Sequence, residues 1–552
     1  MKQTLLYFSL ILFALSLTIN PSTLYGSSEY EKWKKEELGS FRDFKEKRDK
    51  DFTAYLKKQW EEFRLFKGEK AYKKPKIKKI PIAPKIKPSE LKPFGGKAVK
   101  IMPLPQKTPK AKIRPHKKTE PDIVGIEPSK LKIPEKKAET IPQKKEPQVK
   151  IVPLDDKEGE EVPQSVAPKK ATPAVAALPE SRPSGAGKKI GFDFYGSIIS
   201  LMYDESMKMA PMRKVNAKAI SNFWENQSKA DYENLLGQLK DHKEKLSLND
   251  WGYHLLTYNT GKKIFGKRDK NNIKLFAWFI LSKSGYESKI GYNSNDVFLL
   301  IPSKNSLYGV SFLNINGRKY YALSFDGKLT RMSSIFTYRA KYPGSDELMD
   351  YGIYKTPEIV KKVHKKELKF NYRGKAYTVP VEYNKTVADF FEYYPQTEFE
   401  VYFNASASPE AGYSMLKGLR PIVKGKTEGE AVNIIMRFVQ TAFKYKTDNG
   451  QFGREKYLLP DETLYYPYSD CEDRSILFAY LVRNLLGLEV VGLHYPGHMA
   501  TAVRFKDSIK GDSVTYRGKK YIVCDPTYVN ADIGVAMPRY RKVNPKVIPI
   551  GV

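Results

Sequence analysis

The sequence predicts an α+β protein, on three observations. Two stretches offset by 201 to 202 positions repeat one pattern: an apolar helix, a closing Gly, then strand-like segments. Apolar and polar residues alternate on either side of short turns, as half-buried strands require. A Lys/Pro-rich tract over 68–188 is too polar to bury a core, which confines the folded units to the rest of the chain.

The N-terminus bears on compartment. Lys2 precedes an apolar run from Leu5 to Ile19, a polar break at Asn20-Pro21-Ser22 and small residues at Gly26-Ser27-Ser28. That order reads as a secretory signal over 1–26, the run being shorter than the roughly 18 apolar residues of a spanning helix. A secreted or periplasmic location is expected, with an uncleaved N-terminal anchor as the alternative. The chain has 2 cysteines, Cys471 and Cys524, which excludes a disulfide scaffold. The net charge of +34 sits largely in the Lys/Pro tract of an exported chain, so nucleic acid is not the expected partner. Peripheral association with membrane or envelope polymers accounts for it, as does simple solvation of the tract.

Residues 27–67 predict an amphipathic helix, with Tyr30, Trp33, Phe41, Phe44, Phe52, Leu56, Trp60 and Phe63 mostly at helical spacings. A membrane surface, a partner or the folded domains would each accept such a stripe; packing against another helix is the plainest reading. The 68–188 tract follows as a disordered, extended linker. As a coil it would average roughly 60 Å end to end, holding the helix at a long reach from the folded part. That part divides into a first unit over 189–335, a β-rich connecting segment over 336–408 and a second unit over 409–552.

The repeat pairs Leu275-Phe276-Ala277-Trp278, leading to Gly285, with Leu477-Phe478-Ala479-Tyr480, leading to Gly487. It also pairs Gly317-Arg318-Lys319-Tyr320-Tyr321 with Gly518-Lys519-Lys520-Tyr521-Ile522. Duplication explains the near-constant offset; chance likeness between two α+β segments is the alternative. In the connecting segment, alternation around Arg373-Gly374 signals a hairpin, which either completes a small β-subdomain or opens the second unit.

The chemistry lies in the second unit. Thr427 and Glu430 form a capping box ahead of a helix whose buried stripe is Val432, Ile435, Met436, Val439 and Phe443. A second box, Ser469 with Glu472, places Cys471 in the first turn of the next helix, where free N–H groups and the dipole favour a thiolate and an oxyanion. His498 opens an apparent strand after Pro496-Gly497, and Asp525 ends another after Cys524. Cys471, His498 and Asp525 thus supply nucleophile, base and orienting carboxylate. His494 is a rival base but lies inside an apolar strand. Cys524 points opposite to Asp525 if the strand is regular, so a bridge to Cys471 would argue against the triad.

The motifs Asp470-Cys471-Glu472-Asp473, Gly497-His498-Met499-Ala500 and Cys524-Asp525-Pro526-Thr527 resemble those of the transglutaminase-like superfamily, over roughly residues 409–540. The resemblance implies a papain-like domain, with the Cys-bearing helix packed on an antiparallel sheet, and a Cys-His-Asp triad. The Asp-Cys-Glu-Asp run is similar to that of periplasmic relatives that clip adhesins and bind calcium beside the cysteine. By that resemblance Asp470 and Glu472 are metal ligands for calcium, though helix capping accounts for both acids; no other cofactor is expected.

Carrying the offset back, Cys471 falls on Asp269, His498 on Asp296 and Asp525 on Ser324, so the first unit is expected to be a degenerate copy. The whole reads as an exported thiol hydrolase acting on peptide or amide bonds of envelope or extracellular proteins. Cross-linking to an amine and a non-catalytic envelope-binding scaffold are the alternatives.

Overall fold

The computed structural model describes residues 28–63, Ala83, Met102 and 187–551, apart from 326–329, 331 and 333. The expected signal at 1–26 and nearly all of the linker at 68–188 lie outside the described residues. The described architecture is mixed α+β with antiparallel sheets.

Helix α1 (Ser28–Lys58) ends short of the expected end at 67, and Glu61–Phe63 form strand β1 instead. The change has a tertiary cause: β1 pairs antiparallel with β8 (Ile335–Thr337) at the edge of a sheet. The first module opens with the hairpin β2 (Gly187–Phe194) and β3 (Ser197–Asp204). Four helices follow: α2 (Ala217–Lys229), α3 (Tyr232–Lys245), α4 (Asp250–Phe265) and α5 (Lys270–Lys283). Then come β4 (Lys289–Tyr292), β5 (Val297–Pro302), β6 (Phe312–Ile315), β7 (Arg318–Tyr321) and β8. Their sheet runs β1-β8-β4-β5-β7-β6.

The second module repeats the plan. The hairpin β9 (Val363–Tyr372) and β10 (Lys375–Asn384) leads into α6 (Lys385–Phe391), α7 (Phe399–Phe403), α8 (Pro409–Val423) and α9 (Glu428–Ala442). Short elements intervene: β11 (Lys444–Tyr445), α10 (Asp448–Phe452), α11 (Pro460–Tyr465) and β12 (Tyr468–Ser469). After them come α12 (Cys471–Leu486), β13 (Glu489–Tyr495), β14 (His498–Arg504), β15 (Ser513–Tyr516), β16 (Lys519–Cys524) and β17 (Lys546–Ile548). Read as β17-β13-β14-β16-β15, this sheet matches β8-β4-β5-β7-β6 strand for strand.

The segment 336–408 is therefore not only a connector, because its hairpin stands to the second module as β2–β3 stands to the first. The turns agree as well. Tyr195-Gly196 and Arg373-Gly374 in the opening hairpins, and Asn316-Gly317 and Arg517-Gly518 in the sheets, all have positive φ. That geometry matches strand twist and is tolerated best where glycine fills the second place.

The modules also differ, beyond the added strand β1 and the extra helix before α9, in one connection. Residues 266–269 alone join α4 to α5, whereas 443–470 lie between α9 and α12.

Helix α1 does not stand at a distance from the folded part. Its Phe52 and Leu56 are buried in the first module's core, with the Phe52 ring 4.8 Å from that of Trp224 on α2 and 5.2 Å from Tyr342. Asp49 pairs with Lys283 at 2.5 Å in nearly complete burial, and burial brings the lysine's pKa down to about 8. Apolar burial explains why the stripe folds back rather than floating on its linker. Two points of the linker tract also meet the second module. The Ala83 N–H donates to the Val529 carbonyl at 2.7 Å, and that of Met102 to Leu485 at 3.3 Å.

Phe52→Ala is expected to destabilise the first module by about 3–5 kcal/mol, read from urea unfolding of the full chain; an unchanged midpoint would mean α1 is not integral. His254 on α4 is fully buried, and among the described residues neither ring nitrogen has a hydrogen-bond partner. Burial takes its pKa down to about 3. With an unfolded value near 6.5, its contribution is full above that pH and is lost as pH falls toward 3, on the order of 5 kcal/mol in all. Stability curves of His254→Phe should lose this slope between pH 6.5 and 3; a slope equal to the parent's would refute the assignment.

Candidate active site

Helix α12 is capped by Asp470, with Asp473 at its third position: the Asp470 N–H donates to Asp473 Oδ2 at 3.0 Å. The capping box thus lies one residue beyond the expected Ser469/Glu472 pair, because Ser469 is held in β12 and its hydroxyl accepts from Arg474 Nε. Cys471 becomes the first helical residue, where backbone N–H groups have no intrahelical acceptor. One turn on, Ser475 Oγ donates to the carbonyl of Met499 at 3.1 Å. This contact sets the start of α12 beside the start of β14, where His498 stands.

His498 Nε2 lies 2.8 Å from Asp525 Oδ2. The other carboxylate oxygen, Oδ1, accepts the N–H groups of Thr527 and Tyr528 at 2.9 and 3.1 Å. An ionised carboxylate only accepts, so the proton of this pair belongs on Nε2. Nδ1, the other ring nitrogen, has no hydrogen-bond partner among the described residues. Gln440 on α9 supports the arrangement. Its Nε2 donates to the carbonyls of Asp525, Tyr528 and Ala531, and its Oε1 accepts from Asn530.

Cys471, His498 and Asp525 are each at most 2 % exposed. The Tyr540 ring lies over the imidazole, centroids 5.1 Å apart and planes 7° from parallel, with Tyr495 stacked on it in turn at 4.8 Å. Asp512 pins this strap by accepting from the Ala536 N–H and from Arg541 Nε.

Asp470 and Glu472, the two expected ligands, part company. Asp470 gathers with Asp448 and Asp473, their ligand oxygens within 4.8 Å of one another, while Glu472 Oε2 accepts from Cys471 Sγ at 2.9 Å. The trio already has work in the fold. Asp473 accepts from the Leu458 N–H, Asp448 accepts from the Lys456 N–H, and the Arg474 guanidinium supplies countercharge. Asp470, and not Glu472, thus belongs to the acidic trio of the described residues.

Cys524 is fully buried, and neither cysteine is in a disulfide; burial pushes the Cys524 pKa up. His494 packs on Phe399, with burial pushing its pKa down. In the first module Asp269 caps α5 as Asp470 caps α12, so the residue in the position of Cys471 is Lys270 rather than Asp269. By strand starts, Val297 takes the position of His498.

Sequence reasoning missed Gln440, Arg474 and Tyr540. Gln440 was detectable as a polar residue four positions after Met436 on an apolar helix face. Tyr540 carries no local signal, since only the returning chain brings it onto His498. Comparison with protein-family models, curated proteins and solved structures finds no match.

Native alkylation by iodoacetamide is expected at Cys471 before Cys524. Tyr540→Ala should speed it roughly tenfold by opening the covered site, with peptide mapping as the readout; equal rates would show that the strap does not limit access.

Proposed function

We propose that the second module is a thiol acyl-transfer enzyme of the transglutaminase-like type, hydrolysing peptide or amide bonds of envelope or extracellular proteins. The observation that carries this reading is the His498–Asp525 hydrogen bond, which leaves Nδ1 as the basic nitrogen beside the start of α12. In this reading the antiparallel sheet and Cys-bearing helix form a papain-like domain. The first module is its degenerate copy, retained without the thiol.

The steps follow from the groups present. Cys471 Sγ gives its proton to His498 Nδ1 and attacks the amide carbonyl. N–H groups of the first α12 turn receive the oxyanion. Asp525 holds Nε2–H and stabilises the imidazolium. The proton on Nδ1 passes to the departing amine, leaving a thioester. Water, deprotonated by Nδ1, then releases the acid and restores the thiol. Hydrolysis is preferred to cross-linking because no second site for an amine acceptor is evident beside the thiol.

Export and an envelope substrate belong to this proposal through the N-terminal pattern, and calcium through resemblance alone. A second reading, a non-catalytic binding module, is favoured by the near-complete burial of Cys471.

Cys471→Ala is expected to abolish labelling by a vinyl sulfone peptide probe. Asp525→Asn should lower the labelling rate by about 10²–10⁴ while leaving the fold intact. Labelling that ignores both changes would favour the binding module. New protein N-termini in envelope fractions, present with the parent and missing with Cys471→Ala, would identify hydrolysis.

A further inference from the structure

Helix α5 of the first module starts where α12 starts in the second, with Lys270 in the place of Cys471. In front of α5 opens a cleft of about 740 Å³. Its apolar side is Pro211, Met212 and Phe265; its cationic side is Lys267, Arg268 and Lys270. The cleft exists because the α4–α5 connection is so short. In the second module residues 443–470 cover the corresponding helix start, with the Leu458 N–H bound to Asp473 in the first turn of α12. The first module has only 266–269 there, and among the described residues no longer loop covers the helix start.

The charges are unevenly matched. Two carboxylates also line the cleft, Asp269 and Asp296. Asp269 is committed to capping α5, accepting from the Asn272 N–H and side-chain amide at 3.2 and 2.8 Å. Asp296 is engaged by the charge of Lys274. By contrast Lys267 and Arg268 are exposed, as is Lys270, and none of the three makes an ion pair with a described residue. Cations with no ion pair among the described residues, beside an apolar wall, suit a ligand that is both anionic and apolar.

We propose that this cleft binds an acidic peptide segment, seating one apolar side chain against Met212 and Phe265 while its carboxylates meet Lys267, Arg268 and Lys270. A simple phosphate would use the cations and leave the apolar wall in water; a peptide uses both. The site is independent of the thiol chemistry proposed for the second module. It would serve equally to hold a substrate or a partner.

The test uses the full chain carrying Cys471→Ala, so that turnover plays no part. The probe is a fluorescein-labelled octapeptide with a central Leu flanked by Glu, followed by anisotropy at moderate salt. Saturable binding is expected, weakened roughly tenfold or more by the combined Lys267→Glu, Arg268→Glu and Lys270→Glu changes, and weakened by Leu→Ser in the peptide. These residues are exposed, so the thermal midpoint should stay where it is in the parent. Affinity unchanged by the triple reversal would assign binding to the chain's general positive charge and overturn the site. Tripolyphosphate competing as well as the peptide, with Leu→Ser of no effect, would overturn the peptide assignment.

Discussion

The candidate site rests on one buried cation. Arg474 has no exposed surface. Its Nη2 donates to the Phe443 carbonyl at 2.6 Å, Nη1 to Gln440 and Nε to Ser469 Oγ. Removing a guanidinium from water costs several kcal/mol unless hydrogen bonds and opposite charge offset it. Here the open C-terminal carbonyls of α9 and the carboxylates of Asp470 and Asp473 do so, and burial still brings the pKa down to about 10. The guanidinium thereby closes both ends of the 443–470 excursion onto α12, and with them the position of Cys471.

The same contact links the site's two halves. Gln440, whose carbonyl Arg474 holds, spans with its side chain to the loop behind Asp525. One helix end therefore aligns the helix of Cys471, the proposed nucleophile, and the carboxylate bonded to His498. Such alignment by groups that touch no substrate is what reactive geometry requires, since small displacements of a nucleophile weaken catalysis steeply.

Two modules with one strand order differ chiefly in what lies before the second long helix. Where 28 residues fall between α9 and α12 (443–470), the helix start is enclosed, capped and charged. Where four fall between α4 and α5 (266–269), it opens into a cleft bordered by Lys267, Arg268 and Lys270. In the two proposals a shared scaffold supports two kinds of site, and loop length decides which.

Much of this was legible in the chain. Apolar periodicity, closing glycines and the Arg373-Gly374 and Arg517-Gly518 turns are local signals, and local backbone preferences determined the helices, hairpins and repeat. The Cys, His and Asp motifs were marked by their elements' ends, where short-range capping and strand termination operate. Only the tertiary structure decided the rest. It drew α1 onto Trp224 and turned Glu61–Phe63 into an edge strand, because burial and strand pairing outweigh helical continuation. It separated Glu472 from Asp470 and laid Tyr540 over His498. Those outcomes depend on residues far apart in sequence competing for the same buried space, a contest that no local pattern records.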